Sequence, residues 1–114
     1  MTVVKDQIWL ADKDVEGTEA APGVERRIKS YTDELMVVEN RFQKGAVGAL
    51  HSHPHTQITY VVSGRFEFCI GGEKRIVTAG DTMLKKNGIE HGCVCLEEGI
   101  LLDIFSPMRE DFVK

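Results

Sequence analysis

The seven residues His51-Ser52-His53-Pro54-His55-Thr56-Gln57 carry three imidazoles and one primary amide at alternate positions. On an extended strand residues at that spacing share a face, because side chains alternate sides with period two. The chain's fourth histidine, His91, follows an Asn87-Gly88 turn signal much further along. If Pro54 bends the strand, His51, His53 and Gln57 converge, and His91 arriving from a later strand completes a four-ligand cage for one divalent metal ion. Zn, Ni, Fe and Mn all accept such donors. His55 has the right parity, but Pro54 interrupts the ladder beside it, so contact with a ligand or with the cavity wall is expected of it rather than ligation.

The amide has a chemical consequence. Two His and one carboxylate with open positions is the usual arrangement for oxygen-activating non-haem iron. The donors here are all neutral and leave the ion close to its full +2 charge. That favours Lewis-acid binding of an anionic substrate oxygen over redox work.

A second chemical candidate stands near the other end, where Asp103 interrupts the apolar run Gly99-Ile100-Leu101-Leu102-Asp103-Ile104-Phe105. A carboxylate is costly to bury unless it is hydrogen-bonded, paired or kept for chemistry. Period two sets Leu101, Asp103 and Phe105 on one face; if that face is interior, Asp103 is a candidate proton-transfer group. The alternative, Asp103 facing solvent, stays open. Arg109, in Ser106-Pro107-Met108-Arg109-Glu110-Asp111, is a candidate to bind a carboxylate through its guanidinium fork. Cys93 and Cys95 share the parity of His91 and read as small buried hydrophobes.

These groups need rigid elements to hold them. No window shows a sustained helical apolar stripe, whereas short β-rich runs bounded by Gly or Asn recur. The strands expected are Gln7–Leu10, Arg26–Tyr31, Glu34–Phe42, Thr56–Gly64, Arg65–Gly71, Lys74–Ala79, Asp81–Lys85, Gly92–Glu97 and Gly99–Phe105. Ser63-Gly64, Gly71-Gly72, Ala79-Gly80 and Asn87-Gly88 supply the turns. An all-β sandwich, jelly roll or barrel follows, and such folds can hold a site inside their mouth. The tail from Ser106 is expected to form a helical turn or an extended end, and the opening segment could pair with a partner subunit.

Composition bounds the rest. The chain has 114 residues, 42% hydrophobic and 28% charged, which suits one soluble domain over 1–114. No apolar run approaches the ~20 residues needed to cross a bilayer, so no membrane partner is expected. A net charge of −4 without a Lys/Arg cluster gives no footprint for nucleic acid. Three cysteines without a repeated C-x-x-C argue against a disulfide framework. The N-terminus lacks a signal-peptide pattern, so a cytoplasmic location is the default expectation.

The spacing also carries a family resemblance. Gly45, five residues, His51, one residue, His53, three residues, Gln57, six residues and Gly64 resembles the first cupin motif, with Gln in place of the usual Glu. Gly80, five residues, Lys86, Asn87, Gly88, two residues and His91 resembles the second, with Lys86 where that motif usually has Pro and Cys95 where it has Asn. The resemblance implies a cupin double-stranded β-helix (jelly-roll barrel), with core motifs over 45–64 and 80–91 joined by the hairpin Arg65–Ala79. With the tail Asp103-Ile104-Phe105-Ser106-Pro107-Met108-Arg109 it is closer still to the KdgF-type cupins of pectin and alginate breakdown. That family implies a metal site at His51, His53, Gln57 and His91. It implies a catalytic Asp103 with Phe105 and a substrate-binding Arg109, all acting on a small anionic sugar acid. The reaction implied is conversion of a 4,5-unsaturated monouronate to the linear 5-keto-4-deoxyuronate. A homodimer is expected, since small cupins commonly pair. The alternatives are another metal cupin enzyme (isomerase, lyase or dioxygenase) on a small organic acid, or a non-enzymatic sugar-acid or metal-binding module.

Overall fold

The computed structural model describes residues 3–114. Eight antiparallel strands form the scaffold: β1 (Thr18–Ala21), β2 (Val24–Thr32), β3 (Leu35–Phe42), β4 (Val47–His51), β5 (Thr56–Ile70), β6 (Glu73–Thr78), β7 (Thr82–Lys85) and β8 (His91–Ser106). Short 3₁₀ turns at Asp12–Asp14 and Glu110–Phe112 complete it, and no helix among the described residues is long and apolar enough to cross a membrane. The all-β jelly-roll expectation therefore holds.

The two longest strands organise everything. β5 and β8 pair along their length, and each takes different partners at its two ends. The first half of β5 and the second half of β8 are flanked by β7 and by β3, β2 and β1. Their other halves are flanked by β6 and β4. Two sheets result, continuous through the bends in β5 and β8.

Gly64 and Gly99 make those bends possible. The pairing register slips between Ser63 and Arg65, Gly64 has φ +86°, and a Cβ on it would lie 2.6 Å from Gly99 Cα. A side chain on Gly99 would collide with the Ser63 carbonyl. The expected Ser63-Gly64 turn is therefore a bulge inside one strand, because a bulge and a turn share the same demand for a left-handed glycine. The expected breaks after Gly64 and before Gly99 disappear with it.

Other differences are local. Gln7–Leu10 forms no strand; Ile8 and Trp9 are 83% and 87% exposed, so no neighbouring strand covers their apolar side chains. β1 and β4 were not expected, since Thr18–Ala21 and Val47–His51 are short and poor in alternating β-branched residues.

Inward-facing residues line up in layers across the strands. One layer runs Met36, Phe105, Gln57, Lys85 over β3, β8, β5 and β7; the next runs Val38, Asp103, Thr59, Met83. Apolar packing is thus divided. Val61, Phe66, Phe68, Leu101 and their neighbours form one cluster, and Met36, Val38 and Phe105 with Phe112 form another. Buried polar side chains lie between them.

Candidate metal centre and cavity

His51 closes β4 directly opposite His91, which opens β8, and their ring centroids are 4.4 Å apart. His53 comes from the bend between β4 and β5, 5.0 Å from His91 ring to ring. Ligand-capable atoms of the three imidazoles all lie within 4.8 Å of one another. The expected convergence is present, but the seven-residue segment is not one strand, since Ser52–His55 leaves the ladder. Pro54 lacks an N–H and restricts the residue before it. The Asn87-Gly88 turn then holds the bend from outside: Gly88 N–H donates to the His53 carbonyl at 3.0 Å and Asn87 Nδ2 to the Pro54 carbonyl at 3.3 Å.

Backbone carbonyls set the ring orientations. His51 Nδ1–H donates to the Ala49 carbonyl at 2.7 Å and His91 Nδ1–H to the Ile89 carbonyl at 3.0 Å. Each bond leaves the Nε2 lone pair of that ring free, the arrangement metal-binding histidines use. His91 Nε2 is buried without a partner. Burial also pushes His53 and His91 down to about 4, so both rings are neutral near pH 7.

Gln57 is buried and joins this group to the acid. Its Oε1 lies 3.1 Å from His53 Nε2, while its Nε2 donates to Asp103 Oδ1 at 2.8 Å and Thr59 Oγ1 at 3.2 Å. The amide is thereby oriented, with oxygen toward the imidazoles and nitrogen toward the carboxylate. An unpartnered buried ring nitrogen, fixed tautomers and neutral donors all fit a divalent metal ion held by His51, His53, Gln57 and His91. His55 stays outside the three-imidazole group, 5.3 Å from the His53 ring and 6.3 Å from Phe105.

Asp103 faces the interior with Leu101 and Phe105. Besides Gln57 it accepts from Thr59 Oγ1 at 2.5 Å and from Asn40 Nδ2 at 2.6 Å, bonds that an acceptor-only carboxylate can take together. Lys85, almost fully buried, donates to Thr59 Oγ1 at 2.7 Å, and its Nζ lies 4.7 Å from the Phe68 ring centre. Burial holds its amine below the ordinary lysine range.

Sequence reasoning missed Asn40, Thr59 and Lys85, although a signal existed. Each has the parity of buried apolar neighbours on its own strand, as Asp103 does.

Cys93 and Cys95 are buried as expected; burial pushes the Cys93 thiol up to about 12.

Arg109 lies beside the aromatic wall, its guanidinium carbon 5.1 Å from the Phe105 ring centre and 4.1 Å from that of Phe112. It is also engaged, Nε donating to Asp111 Oδ1 at 3.0 Å and Nη2 to Oδ2 at 2.8 Å. A cavity of about 340 Å³ brings His51, Gln57, His91, Asp103, Phe105 and Arg109 to one wall, with His53 reaching the group from its bend. A larger depression of about 710 Å³ beside the Gly99 bend includes none of these residues.

Comparison with known proteins agrees with this fold. The model of the cupin domain matches residues 38–105. The pectin degradation protein KdgF of Dickeya dadantii (strain 3937) is 44% identical over 107 residues, spanning 92% of this chain and 97% of that protein. The structure of an RmlC-like cupin from Shewanella frigidimarina superposes with TM-score 0.91 at 38% identity, over 95% of this chain and 97% of that one. The structure of KdgF from a Halomonas species gives 0.88 at 38% identity, over 93% and 98%.

Proposed function

The chain belongs to the cupin family, in its KdgF-like branch, and from that premise we propose that it converts a 4,5-unsaturated monouronate from pectin or alginate into the linear 5-keto-4-deoxyuronate. The observation that carries this proposal is the Gln57 amide, which joins the imidazole group to a buried acid in one cavity. The KdgF name of two relatives, one described as a pectin degradation protein, supports the substrate class.

A divalent ion held by His51, His53, Gln57 and His91 would supply Lewis-acid polarisation of the substrate carboxylate and the alkene conjugated with it. The remaining work falls to the chain's own groups. Asp103 is the acid/base as water adds across the alkene, a proton going to C4 and hydroxyl to C5. It acts again when the hemiketal opens: the bond from C5 to the ring oxygen breaks, that oxygen takes a proton, and the C5 hydroxyl gives one up to become the ketone. C1, left with two hydroxyls, releases water to become the aldehyde, so the net change is an isomerisation. Oδ2 is the oxygen suited to this, since it accepts one hydrogen bond where Oδ1 accepts two. Arg109 orients the anionic substrate with the N–H groups that Asp111 does not use. Phe105 forms the apolar wall beside them.

The test is the ultraviolet absorbance of the conjugated alkene in unsaturated galacturonate or mannuronate after addition of metal-loaded protein. Loss faster than spontaneous opening is expected. No acceleration, with metal confirmed in the site, rejects the proposal.

A further inference from the structure

Three arginines on β2 and β3 have contrasting surroundings. Arg27 and Arg41 both pair with Glu39, and Arg27 also pairs with Asp12. The Arg26 side chain has no hydrogen bond or ion pair among the described residues, although it is half-buried and lines the 340 Å³ cavity. Its guanidinium carbon lies 3.8 Å from the centre of the Phe112 ring, the ring that Arg109 also approaches. Burial and the like charge of Arg109 act against its positive charge, and outweigh Asp111 and Asp103, which favour it. An unpaired guanidinium held there by packing is costly, and an anion entering the cavity would remove that cost.

The contrast with Arg109 sharpens this. Asp111 already compensates the Arg109 charge through two hydrogen bonds, whereas Arg26 feels Asp111 and Asp103 only through space. Its position in the ladder is also apt. Arg26 pairs across strands with Asn40, whose side chain donates to Asp103. We infer that Arg26 is a substrate-binding residue, and that its guanidinium pairs with the same carboxylate of the sugar acid that the metal site polarises, while Arg109 orients the substrate. This deepens the uronate proposal and rests on it.

The experiment uses metal-loaded protein and D-galacturonate, a saturated sugar acid that lacks the reactive alkene, with its neutral methyl ester as the uncharged control. Calorimetric titration compares wild type with Arg26→Gln and Arg26→Met, which remove the charge but keep a stem against Phe112. About tenfold weaker galacturonate binding is expected in both variants, with ester binding unchanged. On unsaturated galacturonate, KM should rise about tenfold while kcat stays within about twofold. Unchanged galacturonate binding in either folded variant overturns the inference, and equal loss of acid and ester binding does so too. If neither variant folds, Arg26 is structural and the inference is likewise overturned. Failure of the uronate proposal is separate, because it shows as wild-type protein that leaves the alkene absorbance at its spontaneous rate.

Discussion

Gln57 and Asp103, on neighbouring strands, share a 2.8 Å hydrogen bond in which the amide donates and the carboxylate accepts. This explains the amide at a position where cupins usually place a carboxylate. Gln57→Glu sets two acceptors against each other in a buried site, and metal-free protein should lose about 3 kcal/mol in chemical denaturation. Adding Asp103→Asn should restore most of that stability by reversing the amide–carboxylate pair, without restoring activity. A Gln57→Glu protein as stable as wild type would show that the hydrogen bond does not select the amide.

Asp103→Asn alone separates chemistry from metal binding. Loss of a positioned acid/base typically costs ~10²–10⁴-fold, so turnover of the unsaturated uronate should fall by that range. Metal content, read by elemental analysis, should stay near one ion per chain, because the imidazole group does not include Asp103. Full activity in this variant would remove the acid/base assignment.

Metal binding should stabilise the fold through the same residues. At a free ion concentration a hundredfold above Kd, linkage predicts about 2.7 kcal/mol of added stability, reversed by a chelator. His91→Ala should abolish that increment in thermal denaturation, and His55→Ala should retain it. Equal loss in both would bring His55 into the ligand set.

Cysteine chemistry offers a check on the interior. A thiol pushed up to about 12 has almost no thiolate at pH 8, so Cys93 should resist iodoacetamide in the folded protein. The partly exposed Cys69 should be alkylated first. Mass spectrometry of the labelled peptides distinguishes the order, and early labelling at Cys93 would contradict the burial described.

Much of this was legible in the sequence, for reasons that differ by residue. Asp103 was found because period two fixes which face of an apolar strand it shares. His51, His53, Gln57 and His91 were found through spacing, although the period-two argument reached His53 by the wrong route, since a bend and not a strand carries it. Gly64 misled because local chemistry cannot tell a bulge from a turn; only its crossing with Gly99 decides. Arg26 was hidden for another reason. Beside Arg27 in a charged stretch nothing local marks it, and only the folded pairing shows which of the two lacks a carboxylate.

Thr59 carries a consequence of its own. Its hydroxyl receives N–H groups from Lys85 and Gln57 and has one hydrogen to give, which goes to Asp103. Both acceptor positions and the single donor are occupied, so the chain of bonds has one polarity, from ammonium to carboxylate. Oδ1 of Asp103 is thus held by two donors, Thr59 Oγ1 and Gln57 Nε2, each tied in turn to a further buried group, while Oδ2 has the Asn40 amide as its one partner.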